Sequence, residues 1–176
     1  GGWLNLKAGE VTDDTQMTLC VCEAIEYVFG GLEVNPELIP QMLDRCCENF
    51  VAWYKTNPKD VGCTCSRVIS FGTEVPQSSF WHNLADDPDA LGNGSLMRTM
   101  PIVLSGLGCK SALLQGRLTH NNIICDSAIK RYYENLEMIL DNGECTDNAV
   151  LMEPTGHVVN TLNNALYWTQ NTKTFE

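Results

Sequence analysis

A hydroxyl and two carboxylates stand side by side at Thr12, Asp13 and Asp14, just ahead of an apolar stretch. Acidic residues favour the first turn of a helix, where they meet its positive end, and one Asp would suffice for that. Two carboxylates beside a Thr also make a cluster of hard oxygen donors, the kind that Mg²⁺, Mn²⁺ or Ca²⁺ prefers. The local pattern leaves capping and metal binding both open.

Three further segments could carry chemistry. In Gly92-Asn93-Gly94-Ser95-Leu96-Met97-Arg98 two glycines let backbone approach a ligand closely. A helix N-terminus after them would offer free N–H groups to a phosphate. The bland reading is a tight turn with Ser95 as N-cap. Thr119-His120 reads as a helix start whose histidine is structural or donates to a phosphate or ribose oxygen. Thr155-Gly156-His157-Val158-Val159-Asn160-Thr161-Leu162 reads first as a buried helix and second as a site.

The elements that must position these residues are helices. Met17, Leu19, Cys20, Val21, Ala24, Ile25 and Val28 recur at helical spacing from about Asp14 to Phe29, and Gly30-Gly31 ends that stretch. Asn35-Pro36 reads as N-cap and first position of a second helix reaching Tyr54, with Pro40 near its first turn. A short helix is expected over Ser66 to Phe71, then a loop from Gly72 to Gly94. A helix from Leu96 to Leu107, bent at Pro101, should follow. Thr119 is expected to cap a long helix to Leu140, stopped by Asp141-Asn142-Gly143. Thr155 or Gly156 should open the last helix. Nothing alternates with period two, so the predicted class is all-α, a compact multi-helix domain over residues 1–176.

Composition narrows the function. The 22 acidic residues against 11 basic ones give a net charge of −11, a field that repels phosphate backbones and argues against nucleic-acid binding. That excess suits divalent cations and leaves a small anion at a helix N-terminus open. No apolar run nears the roughly 18 residues of a membrane span, and no signal peptide is visible. None of the nine cysteines forms a C-x-x-C pair, so reduced, mostly core thiols in a cytoplasmic protein are expected.

Taken together and in order, T-D-D-T-Q-M from Thr12, G-N-G-S-L-M-R from Gly92, the Thr119-His120 pair and the final helix resemble the ADP-ribosylglycohydrolase family. The likeness is nearest to members acting on dinitrogenase reductase, and Gly2-Trp3-Leu4 and Gly9-Glu10 share it. The resemblance implies an all-α fold with a cleft for two divalent metal ions, Mg²⁺ or Mn²⁺. It implies that Thr12, Asp13 and Asp14 bind metal, with Asp13 and Asp14 also catalytic. Gly92, Asn93, Gly94 and Ser95 would form the ADP-ribose loop, His120 and His157 would line the substrate pocket, and Asp89 would be the nearby active-site carboxylate. The implied partner is an ADP-ribosylated protein, dinitrogenase reductase being one, or ADP-ribose itself, taken by a monomer.

The implied reaction cleaves the N-glycosidic bond to an arginine side chain through an oxocarbenium-like transition state. The family's G-D-A-x-G and D-T-D segments do not occur in this sequence, so the domain is expected to be partial at both ends, with half the metal ligands elsewhere. His157 and Asn160 stand where relatives commonly carry a Tyr and an acidic residue. The alternative function is a non-catalytic ADP-ribose-binding or structural member of the same fold.

Overall fold

The computed structural model describes residues 4–31, 33–145 and 147–172, and among these the regular elements are all helical. The α-helices are α1 (Asp13–Phe29), α2 (Ile39–Tyr54), α3 (Cys63–Gly72), α4 (Ser78–Leu84), α5 (Met100–Leu104), α6 (Cys109–Gly116), α7 (Ile123–Asn142) and α8 (Val158–Asn171). Short 3₁₀ turns cover Pro36–Leu38 and Asn93–Ser95.

Met17, Cys20, Val21 and Ala24 give α1 one buried stripe, and α1 packs most extensively on α2. Met42, Leu43, Cys46, Cys47 and Phe50 form the facing stripe of α2. Fully burying such a side chain contributes about 1.5–3 kcal/mol before chain entropy is counted. Polar ties fix the register of the pair: Trp53 Nε1 donates to Gln16 Oε1 at 2.8 Å, and Asn49 Nδ2 to the Cys20 carbonyl at 2.9 Å. Phe50 continues the core to Trp81 of α4, ring centroids 6.5 Å apart. All nine cysteines are free, and Cys20, Cys46, Cys47, Cys65 and Cys125 are buried.

The caps show where local signals held. Gly30 ends α1 in the left-handed region. Asn35 Oδ1 accepts from Glu37 N at 3.0 Å but caps the 3₁₀ turn Pro36–Leu38, and α2 itself starts three residues after Pro36, at Ile39, with Pro40 in its first turn. Gly143, at φ 73°, closes α7 with its N–H on the Ile139 carbonyl.

Elsewhere the structure differs. α3 begins at Cys63, ahead of Ser66. The expected loop from Gly72 to Gly94 contains α4, which is too short to show a period. Its N-terminus is capped from another helix: Asp44 Oδ1 of α2 accepts from Ser78 N at 2.7 Å and Ser78 Oγ at 2.6 Å. The helix expected over Leu96–Leu107 shrinks to α5, with Pro101 in its first turn instead of at a bend. α6 was not foreseen. The cap of α7 is Asn122, whose Oδ1 accepts from Ile124 N at 2.8 Å, and not Thr119, which turns inward. α8 starts one residue after His157, whose Nδ1 accepts from Val159 N at 3.2 Å.

α8 is held to α7 by a polar cluster. Arg131 grips both oxygens of Asp147, at 2.7 and 2.5 Å, and Asn135 Nδ2 adds a bond to Asp147 at 2.9 Å. Gln170 of α8 donates to the Asp147 carbonyl, and Asn163 accepts from Arg131. The guanidinium beside Asp147 holds its carboxyl below the usual aspartate range. No described helix is long and apolar enough to cross a membrane.

Candidate active site

The acidic corner is built at the N-terminus of α1. Thr12 takes the N-cap position in extended conformation without capping through its side chain; its Oγ1 donates to Asp14 Oδ2 at 3.1 Å. Asp13 is nearly buried. Its Oδ1 accepts from Asp14 N at 3.1 Å, and its Oδ2 accepts from Gly62 N at 3.2 Å. Asp14 is exposed. Burial pushes the Asp13 carboxyl up from its ordinary value, and the charges of Asp14 and then Asp60 push it further the same way.

Asp60 is the residue that sequence reasoning missed. It lies in the turn Asn57-Pro58-Lys59-Asp60-Val61-Gly62, and the bond from Gly62 to Asp13 brings that turn to the corner. The signal available was an Asx-Pro turn carrying an acid ahead of a glycine helix start. Glu10 and Lys59, paired at 2.6 Å, strap the two loops together across their exposed side. Three carboxylates thus gather with no cation among them, a hard-oxygen arrangement that a divalent ion would relieve. Among the described residues no group of three His, Cys, Asp or Glu closes tightly enough to hold an ion alone.

The glycine loop sits across the first turn of α3 from this corner. A Cβ on Gly94 would stand 2.8 Å from Cys65 Sγ and 3.0 Å from His120 Cε1, so the loop backbone lies directly on both. Thr18 Oγ1 of α1 donates to the Met97 carbonyl at 3.2 Å. On its inner side the loop is gripped by two buried residues. Arg98 Nη1 donates to the Gly94 carbonyl, and Gln115 Nε2 to the Ser95 carbonyl at 3.2 Å. Ser95 is fully buried, its Cβ facing Gly116, and its hydroxyl lies by the Cys125 thiol.

The other proposed site residues are placed as follows. His120 is buried beneath Gly92 and Gly94. Burial and the nearby Arg98 and Arg67 charges push its imidazole down to about 3, so it is neutral. His157 is half-buried and reaches the loop through backbone: Gly92 and His157 form an antiparallel bridge, with Asn93 N on the Gly156 carbonyl at 3.0 Å and Val158 N on the Leu91 carbonyl at 2.8 Å. Asn93 Nδ2 reaches Thr161 Oγ1 at 3.3 Å. Asp89 is exposed in a turn, its N–H on Asp87 Oδ1; it is Asp87 that pairs with Arg67, at 2.7 Å, and whose charge acts on His120. The structure therefore joins Thr12, Asp13, Asp14, the glycine loop, His120 and His157 around α3, and leaves Asp89 on the rim. A groove of about 370 Å³ lies apart from all of them, between α2, α4 and α6, lined by Ile39, Leu43, His82 and Leu114.

The sequence profile of the ADP-ribosylglycohydrolase family matches residues 1–130, the acidic corner, glycine loop and His120 included. The chain belongs to this family. An ADP-ribosyl-[dinitrogen reductase] glycohydrolase of Rhodospirillum rubrum is 35% identical over 133 residues, 73% of this chain and 40% of the relative. A protein of Acanthamoeba polyphaga mimivirus named as an ADP-ribosyl glycohydrolase is 29% identical over 104 residues, 58% of this chain and 27% of the relative. The chain thus spans well under half the length of either relative. The family match ends inside α7, short of the extent expected, so His157 and α8 lie beyond it. Tertiary pairing nonetheless brings them to the family's glycine loop.

Proposed function

We propose that this ADP-ribosylglycohydrolase-family chain is part of a metal-dependent hydrolase that releases ADP-ribose from a modified protein side chain, arginine in the first instance. One observation carries the reading: the N-cap of α3 puts Gly62 N on Asp13 Oδ2 and its first turn puts Cys65 Sγ under Gly94, so the acidic corner and the glycine loop meet at one helix start.

Thr12, Asp13 and Asp14 would hold one side of a Mg²⁺ or Mn²⁺ site, for which their oxygen chemistry and mutual repulsion suit them. Such an ion, when bound, would orient ribose hydroxyls and water. The glycine loop would lie along the pyrophosphate, with His157 at its edge. Asp60 makes no ion pair or hydrogen bond among the described residues and would be the carboxylate to move a proton at the departing nitrogen. Asp89 would act only at the rim. The natural substrate would be an ADP-ribosylated protein of the kind for which the R. rubrum relative is named.

The test is release of ADP-ribose from an arginine-ADP-ribosylated protein with Mn²⁺, with and without chelator, alongside equilibrium binding of ADP-ribose. Release that stops with chelator and in Asp13→Ala is the expected result. Binding without release would favour a non-catalytic ADP-ribose-binding member, and failure to bind would overturn the reading.

A further inference from the structure

Arg98 is a fully buried cation with no carboxylate partner among the described residues. Its nitrogens donate to neutral groups instead, oxygens and the Cys65 sulfur. Nε donates to Gln115 Oε1 at 2.9 Å, Nη1 to the Gly94 carbonyl, and Nη2 to the Gln115 carbonyl at 3.1 Å and Thr119 Oγ1 at 2.8 Å. The guanidinium carbon stands 5.0 Å over the Phe50 ring. Burying an unpaired charge is costly, and a core that only needed filling would take an apolar side chain. The bond to Thr119 says what the charge does. Arg98 can only donate, so Thr119 Oγ1 accepts from it. The Thr119 hydrogen can then go to His120 Nδ1, 2.8 Å away, the other group beside it being the Cys65 sulfur, a weak acceptor.

We propose that Arg98 is a positioning residue which, through Thr119, fixes His120 as the neutral tautomer carrying its proton on Nε2, the nitrogen turned to the glycine loop. The opposite ring edge faces the loop. A Cβ on Gly92 would stand 3.3 Å from Nε2, and Nε2 has no hydrogen-bond partner among the described residues. The result is a single N–H donor held under the loop, aimed where an oxygen of a nucleoside diphosphate sugar would lie. The charges facing the ring are Arg98 and Arg67, which disfavour protonation, and Asp87, which favours it. The ligand half of the proposal rests on the ADP-ribose reading; the tautomer does not.

Long-range nitrogen–proton NMR correlation on the ligand-free chain reads the tautomer directly. His120 should show a protonated Nε2 and a bare Nδ1, unchanged between about pH 5 and about pH 8. Thr119→Ser should keep that pattern. Thr119→Val should lose it, mixing tautomers, and should weaken ADP-ribose binding by about tenfold. A wild-type His120 protonated on Nδ1, or a Thr119→Val variant with an unaltered spectrum, would overturn the proposal. The wild-type and serine spectra decide it even where the valine variant does not fold. A wild type that binds no ADP-ribose but shows the expected spectrum would sink the functional reading and leave the Arg98 assignment standing.

Discussion

Asn93 gives its backbone N–H to the carbonyl of Gly156, 63 residues later in the chain and 3.0 Å away. That bond, with its partner from Val158 to Leu91, clamps the outer edge of the glycine loop to the start of α8. Arg98 and Gln115 grip the inner edge. The loop is therefore held from both sides before any ligand arrives, which lowers the ordering cost of binding.

Asn93→Ala keeps the backbone clamp and loses only the Nδ2 bond to Thr161. Folding should be nearly unaffected, by at most about 1 kcal/mol. ADP-ribose affinity should fall by about tenfold in titration calorimetry if the amide contacts ligand. Unchanged affinity would mark the side chain as a strut for α8 alone.

Gly94→Ala places a methyl group 2.8 Å from Cys65 Sγ and 3.0 Å from His120 Cε1. Overpacking of this kind should cost about 1–3 kcal/mol in chemical denaturation. The double variant with Cys65→Ala removes the nearer atom and should recover part of that loss. Full additivity of the two changes would show that the sulfur is not the obstacle.

Asp13 tests the acidic corner by two independent readouts. Its folded-state carboxyl titrates above the ordinary 3.8, so the protonated form is favoured in the folded protein. That advantage is lost as pH rises from 3.8 through the folded value, and at neutral pH the ionised group destabilises. Asp13→Asn should therefore raise the thermal midpoint at neutral pH. The same change should abolish any stabilisation by added Mn²⁺, since a carboxamide is a poor ligand. Asp13→Ala and Asp14→Ala should each abolish ADP-ribose release without loss of folding.

His120 gives stability the opposite slope. Its folded value of about 3 lies below the ordinary 6.5, so the unfolded chain binds the extra proton. Stability present above 6.5 is lost as pH falls from 6.5 towards 3. One such proton accounts for up to about 1.4 kcal/mol per pH unit. Between 6.5 and 4.5, before the Glu10 and Asp147 carboxyls enter, the slope should flatten in His120→Asn. A variant that keeps the full slope there would show that the histidine does not titrate with unfolding.

Much of this was legible in the residues. The period of Met17, Cys20, Val21 and Ala24, the cap at Asn35 and the stops at Gly30 and Gly143 gave an all-α chain, because each signal is local and complete within a turn or two. The motifs from Thr12 and from Gly92 pointed to the family only by resemblance, taken together and in order with the later segments, since each alone also reads as a cap or a turn.

What the sequence left undecided depended on partners far along the chain. α4 escaped notice because its cap is Asp44, 34 residues earlier, and Trp81 is its one buried apolar side chain. Asp60 looked like an ordinary turn acid until Gly62 N was placed on Asp13. Thr119 read as a cap, yet the buried Arg98 claims its hydroxyl, and helix start passes to Asn122. By itself the sequence determined helices, acidic character and two motifs, since these rest on neighbours within a few bonds. Only the tertiary structure decided that Asp60 joins the acidic corner and that His120 lies under the glycine loop. Those facts depend on which helices pack together, and packing is settled by burial over the whole core.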